Sequence, residues 1–169
     1  MAGRRTPVAP ALVMAGLAAL WSAPVAEARA VEMGCLMRGD VRFSPGVTGD
    51  PQHVEMTVTG SLFECQGSTP HAGAEFRGAT TGKLSCGGGD AKGAIEITWD
   101  GRNNSVVDLT ADKVDDLPPT FRGKVARGAM EGRAVEVRIE AVDGADPADC
   151  AKSRGITALG IYGSADFSS

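Results

Sequence analysis

Aromatic residues make up only 5% of the 169-residue chain: two Trp, one Tyr and five Phe. So few large side chains lead to the expectation of a small core without a large ligand cavity. Histidine is scarcer still, and only His53 and His71 are available as imidazole bases. There is no Gly-x-Ser-x-Gly elbow, so a serine hydrolase of that design is excluded. Gly87-Gly88-Gly89-Asp90 is followed neither by a helix nor by a Lys-Ser/Thr pair, which excludes a phosphate-binding loop. No two cysteines stand in C-x₂-C spacing, and two histidines do not complete a zinc set. No cofactor and no metal are therefore expected. Positive charge is not in excess: 17 Lys and Arg face 21 Asp and Glu, a net charge of −4. That sign argues against nucleic acid as a partner.

The first thirty residues read as an address. Arg4 and Arg5 give a basic start, and Pro7 to Trp21 is an almost unbroken apolar run. Ala28-Arg29-Ala30 then offers small residues for cleavage. This is the pattern of a Sec-type signal peptide over residues 1–30, cut after Ala30. The run is too short for a spanning helix, which needs about 20 apolar residues. Thr6-Pro7-Val8 does not continue Arg4-Arg5 as a twin-arginine signal would. Glu32 and Met33 are unsuited to a lipid-attachment site at Cys35. The expected mature chain, 31–169, carries fourteen basic and twenty acidic residues, a net charge of −6. It reads as one secreted domain with no membrane insertion after cleavage.

Four cysteines remain in that domain: Cys35, Cys65, Cys86 and Cys150. An even number in an exported chain reads as two disulfides. The residues around them alternate with period two. Val54, Met56, Val58 and Leu62, with Gly60 in the row, share one face, and Glu55, Thr57, Thr59 and Ser61 the other. Ile95, Ile97 and Trp99 alternate with Glu96, Thr98 and Asp100. Phe121, Gly123 and Val125 alternate with Arg122 and Lys124. Val135, Val137, Ile139 and Ala141 alternate with Glu136, Arg138 and Glu140. Cys35 to Phe43, Glu75 to Cys86, Ser105 to Thr110 and a Gly-interrupted Ile156 to Tyr162 complete about eight strands. Only Ala145 to Ser153 has room for a helical turn.

The fold class is thus all-β, a single antiparallel domain. Strands at this spacing make a sandwich or a barrel. Glycines inside strands (Gly39, Gly60, Gly78, Gly82, Gly93, Gly123 and Gly160) mark strong curvature and favour a small barrel over a β-sandwich. In an up-and-down meander, Cys35 opens the first strand and Cys65 closes the second, so they share an end. Cys86 closes the third strand and Cys150 precedes the eighth, at the opposite end. Three connectivities are open from sequence, and this parity favours Cys35–Cys65 with Cys86–Cys150.

The remaining motifs have plain readings. His53 and His71 sit beside turn residues and read as exposed loop histidines. Asp112, Asp115 and Asp116 form one acidic cluster, and Asp143, Asp146 and Asp149 another. Carboxylate pairs serve glycosidases and calcium sites. Here sugar-stacking aromatics are too few, and the spacing is not that of a calcium loop. Arg38-Gly39-Asp40 falls inside a strand, so its match to an integrin tripeptide reads as chance. Asn103-Asn104-Ser105 fits a glycosylation acceptor and equally a hairpin tip.

One resemblance is arguable. A signal pattern and Cys35 are followed by Gly78-Ala79-Thr80-Thr81-Gly82-Lys83-Leu84-Ser85-Cys86. Then come Gly93-Ala94-Ile95-Glu96-Ile97-Thr98-Trp99-Asp100-Gly101, Ser105-Val106 and Cys150. Over most of 31–169 this resembles the small secreted Gly/Thr-rich β proteins of actinobacteria, although the chain is richer in charge and poorer in Thr. The resemblance implies a β fold and supplies no site residues. The function expected is a non-enzymatic secreted or cell-surface domain of unknown specific role acting as a binding or interaction module, its partner unidentified, with an extracellular protein as one candidate. The alternatives are a secreted protease inhibitor presenting Asp112 to Thr120 or Gln66 to His71, and an extracellular enzyme on polymer substrates. A lined apolar cavity of several hundred Å³, on the order of known ligand pockets, would favour small-ligand carriage in the barrel mouth instead.

Overall fold

The computed structural model describes residues 30–100, 103–111 and 120–169. Nine strands follow one another: β1 (Val31–Val47), β2 (Gln52–Gly67), β3 (Ala74–Ser85), β4 (Gly88–Gly89), β5 (Ala91–Trp99), β6 (Asn103–Ala111), β7 (Thr120–Gly128), β8 (Ala134–Asp143) and β9 (Ile156–Ser168). Among the described residues the one helical element is a 3₁₀ turn at Pro147–Ala151. All ladders are antiparallel. The order β2-β1-β9-β8-β7-β6-β5-β3, with β2 also paired to β3, closes eight strands into an up-and-down barrel. The two-residue β4 folds back on the end of β3 as an extra.

Closure follows from the alternation in the sequence. On β2, Val54, Met56 and Leu62 are buried while Glu55, Thr57 and Thr59 are exposed or half-buried. On β5, Ile95, Ile97 and Trp99 turn inward. The outer face carries ion pairs between neighbouring strands: Arg77 with Glu96, Arg122 with Glu136, and Arg138 with Asp166. Apolar-in and charged-out is the reverse of what a barrel in a lipid bilayer needs. Among the described residues no helix is long and apolar enough to cross a membrane.

The in-strand glycines make room as well as curvature. Gly39 and Gly60 face each other across β1 and β2. A Cβ on Gly60 would lie 2.4 Å from Phe76 Cζ, and one on Gly39 3.0 Å from the same atom. The Phe76 ring therefore lies over the paired glycines, and its width is accommodated by two residues without side chains. One expectation fails locally. A register shift between Ile139 and Ala141 in the β8–β9 ladder breaks the alternation. Ala141 is consequently exposed instead of facing the core. A bulge of this kind puts two residues opposite one and turns the following side chain outward.

The meander gives the barrel two poles. β1 starts at the first pole, and β2, β5, β7 and β9 end there. The Cys35–Cys65 bond lies at this pole, with Cα atoms 4.1 Å apart. The Cys86–Cys150 bond lies at the second pole, with Cα atoms 6.1 Å apart, and fixes the end of β3 to the 3₁₀ turn. All four cysteines are paired, in the connectivity that strand parity favours. Two disulfides suit an oxidising, extracellular setting. Pairing with Cys65 also leaves Cys35 no free sulfur for lipid attachment.

Candidate ligand-binding cavity

At the first pole the interior is filled. Trp99, Phe167 and Met33 are almost wholly buried there. Trp99 meets Phe167 edge-on, with ring centroids 5.5 Å apart. Its indole N–H donates to Ser105 Oγ at 2.8 Å, and Ser105 donates in turn to the Ala129 carbonyl. Such a chain lets a Trp be buried with its one donor satisfied. Ser105, which the sequence places at the start of a strand and in an acceptor tripeptide, has its hydroxyl inside the barrel.

His71 belongs to this plug. Its ring stacks on Trp99, with centroids 4.9 Å apart and planes 27° from parallel. Its Nδ1 lies 2.9 Å from Asp100 Oδ2. Asp100 follows Trp99 with φ of +45°, a conformation that Asp tolerates better than most residues. The side chain of His71 is only 11% exposed, so it is not the open loop histidine that its neighbours suggested. Packing on the flat indole is the reason. His53 does lie exposed, at the start of β2 opposite Lys83, so the two histidines are at opposite poles. The Gln66 to His71 segment is held against the first pole, where Ser68 N–H donates to the Glu32 carbonyl at 2.9 Å.

The acidic residues after β8 serve the local chain. Asp143 accepts from Gly144 N–H at 2.7 Å, and Asp146 caps the 3₁₀ turn by accepting from Ala148 N–H at 2.9 Å. Asp149 pairs with Lys152, which raises the lysine pKa through that hydrogen bond. Among the described residues no group of three His, Cys, Asp or Glu side chains is arranged to hold a metal ion. Asp112, Asp115, Asp116 and Pro118-Pro119 lie outside the described residues. Arg38-Gly39-Asp40 sits in the middle of β1, paired on both sides to β2 and β9.

The second half of the barrel is different. A cavity of about 580 Å³ begins above Phe167, Val107 and Ile97 and runs to the second pole. Its wall is almost entirely apolar: Met37, Val41, Met56, Leu109, Val137 and Leu159 are typical. Ala91 and Ala111 face each other near its end, and Cys86, Cys150 and Pro147 line the rim. The rim is tied together by backbone bonds, Cys86 N–H to Thr48 O at 2.8 Å and Gly49 N–H to Cys150 O at 3.0 Å. The expectation of an interior without a large cavity is thus overturned. The circumference of a barrel is set by strand number and stagger, not by side-chain volume. Eight strands enclose a fixed space, and a sequence short of large residues leaves part of it empty.

Three features of the cavity were not legible beforehand. Thr80 is one of two Thr residues on β3, and the residue is 9% exposed and faces the interior. Ser85, also on the wall, is engaged with its own hairpin: it donates to Gly88 O at 3.1 Å and accepts from Gly87 N–H at 3.2 Å. Glu140, brought to the wall by the bulge, turns its carboxylate to Ser164 Oγ at 3.4 Å. The Thr at 80 in an inward row with Phe76 and Leu84 is the one sequence signal that was available. No family model, no curated protein and no solved structure matches the chain.

Proposed function

We propose that this is an exported, non-enzymatic binding protein whose barrel carries a small apolar ligand. The observation that carries the reading is the apolar cavity of about 580 Å³. Its size falls within the range of roughly 300–1,000 Å³ typical of ligand pockets. An empty apolar space of that size costs a folded chain many dispersion contacts, and a ligand restores them. The blind Trp99 pole gives the ligand one direction of entry. The two disulfides, one at each pole, brace the barrel in an oxidising compartment, which agrees with the signal-like pattern of residues 1–30.

Fluorescence of a neutral apolar dye titrated with the oxidised protein tests this. Saturable enhancement at one dye per barrel is expected, with displacement by hydrocarbons. Native mass spectrometry of freshly exported protein should show an adduct that is lost on organic extraction. Failure of both measurements would remove the proposal.

A further inference from the structure

The wall of the cavity says what kind of apolar ligand fits, on the premise that the cavity is the binding site. Among the described residues, no Lys, Arg or His lines it. Its single acidic residue, Glu140, spends its carboxylate on Ser164, whose neighbours Gly163 and Ala165 are the inward residues of β9. Of the two hydroxyls on the wall, Ser85 is occupied by Gly87 and Gly88. The Thr80 hydroxyl takes part in no hydrogen bond among the described residues. It stands halfway along β3, between the Phe76 level and the Leu84 level of the same inward row.

We infer that the ligand is a neutral lipid-like molecule with one uncharged hydrogen-bonding group, such as an alcohol or a ketone, which meets Thr80 Oγ1 inside the barrel. Desolvation separates the candidate headgroups. A carboxylate at Thr80 would be buried with a single neutral partner and no counter-charge, which is strongly unfavourable. A carboxylate left in water at the rim would forgo Thr80. A hydroxyl loses little on entering, because Thr80 both donates and accepts. A bare hydrocarbon enters too, but leaves Thr80 unpaired in an apolar wall.

The test is competition for the same neutral dye by four compounds of one chain length: the alkane, the alcohol, the methyl ketone and the carboxylate, near neutral pH. The alcohol and ketone should displace the dye about 5–10-fold better than the alkane, the gain of one buried hydrogen bond. They should exceed the carboxylate by at least about 10-fold. Thr80→Val should remove the advantage over the alkane while leaving alkane binding in place, and Thr80→Ser should keep it. Near-ultraviolet circular dichroism of each variant confirms an intact Trp99 plug. A carboxylate that competes as well as the alcohol overturns the inference. So does an alcohol-to-alkane ratio unchanged by Thr80→Val. Displacement by the alkane without any polar preference would sink this inference and leave the cavity reading standing, whereas no displacement by any of the four would sink both.

Discussion

The two halves of the barrel are built from the same strands, yet one is packed and the other hollow. The first pole receives Trp99, Phe167 and Met33, and Phe76 covers Gly39 and Gly60 just beyond them. The second receives Val47, Val54, Met56, Ala91 and Ala111 as its buried residues. The same strands run through both halves, and side-chain volume separates them: Trp99, Phe167 and Met33 fill one, while Ala91 and Ala111 leave room in the other. Rigidity and capacity are thereby separated along one axis: the filled pole supplies a core, and the unfilled one a space for a ligand.

Trp99→Ala should have the largest effect, because it empties the packed pole. Truncating a fully buried Trp costs about 3–5 kcal/mol, and here it also removes the donor to Ser105 and the platform for His71. Urea unfolding followed by circular dichroism should show that loss. At low denaturant the folded fraction should still bind dye, because the cavity does not reach Trp99.

The disulfides sharpen the contrast. The Cys86–Cys150 bond closes 64 residues and Cys35–Cys65 closes 30. Chain entropy gives about 4.3 and about 3.6 kcal/mol respectively. Replacing Cys86 and Cys150 together by Ala should therefore destabilise slightly more than replacing Cys35 and Cys65. Only the former should weaken dye binding, since only those cysteines line the rim. Equal effects of both pairs on binding would argue against a functional distinction between the poles.

Filling the hollow half should do the opposite of emptying the packed one. Ala91→Phe puts a ring into existing space, so the usual overpacking penalty of about 1–3 kcal/mol should be largely avoided. Dye affinity should fall by at least about 10-fold, the scale of a 1.4 kcal/mol loss, while the melting temperature hardly moves.

The smallest effect concerns the outer surface, which belongs to neither pole. Burial pushes the Glu136 pKa upward, but Arg122 and Arg138 outweigh it, and the carboxyl is held below its ordinary 4.5. A lowered folded-state pKa means that its stabilisation is present above about pH 4.5 and is lost as pH falls through the lowered value. Glu136→Gln should cost about 0.2–1 kcal/mol at neutral pH, the range of exposed pairs, and less in high salt. The difference from the parent should vanish in acid. A penalty that persists there would show that packing, not charge, is responsible.

The alternation of Val54, Met56, Ile95, Ile97 and Trp99 with charged and Thr residues determined the strands, their inner faces and, through strand parity, the disulfide pairing. Those properties are local or depend only on the order of strand ends, and a linear pattern carries both. Closure of β1 onto β9, the bulge that exposes Ala141, the burial of His71 on Trp99 and the inward isolation of Thr80 were decided by tertiary structure. Each depends on which side chain arrives from a strand distant in sequence. The cavity depends on it most of all, because emptiness is the difference between the space eight strands enclose and the volume that fills it, and the enclosed space exists only once the barrel has closed.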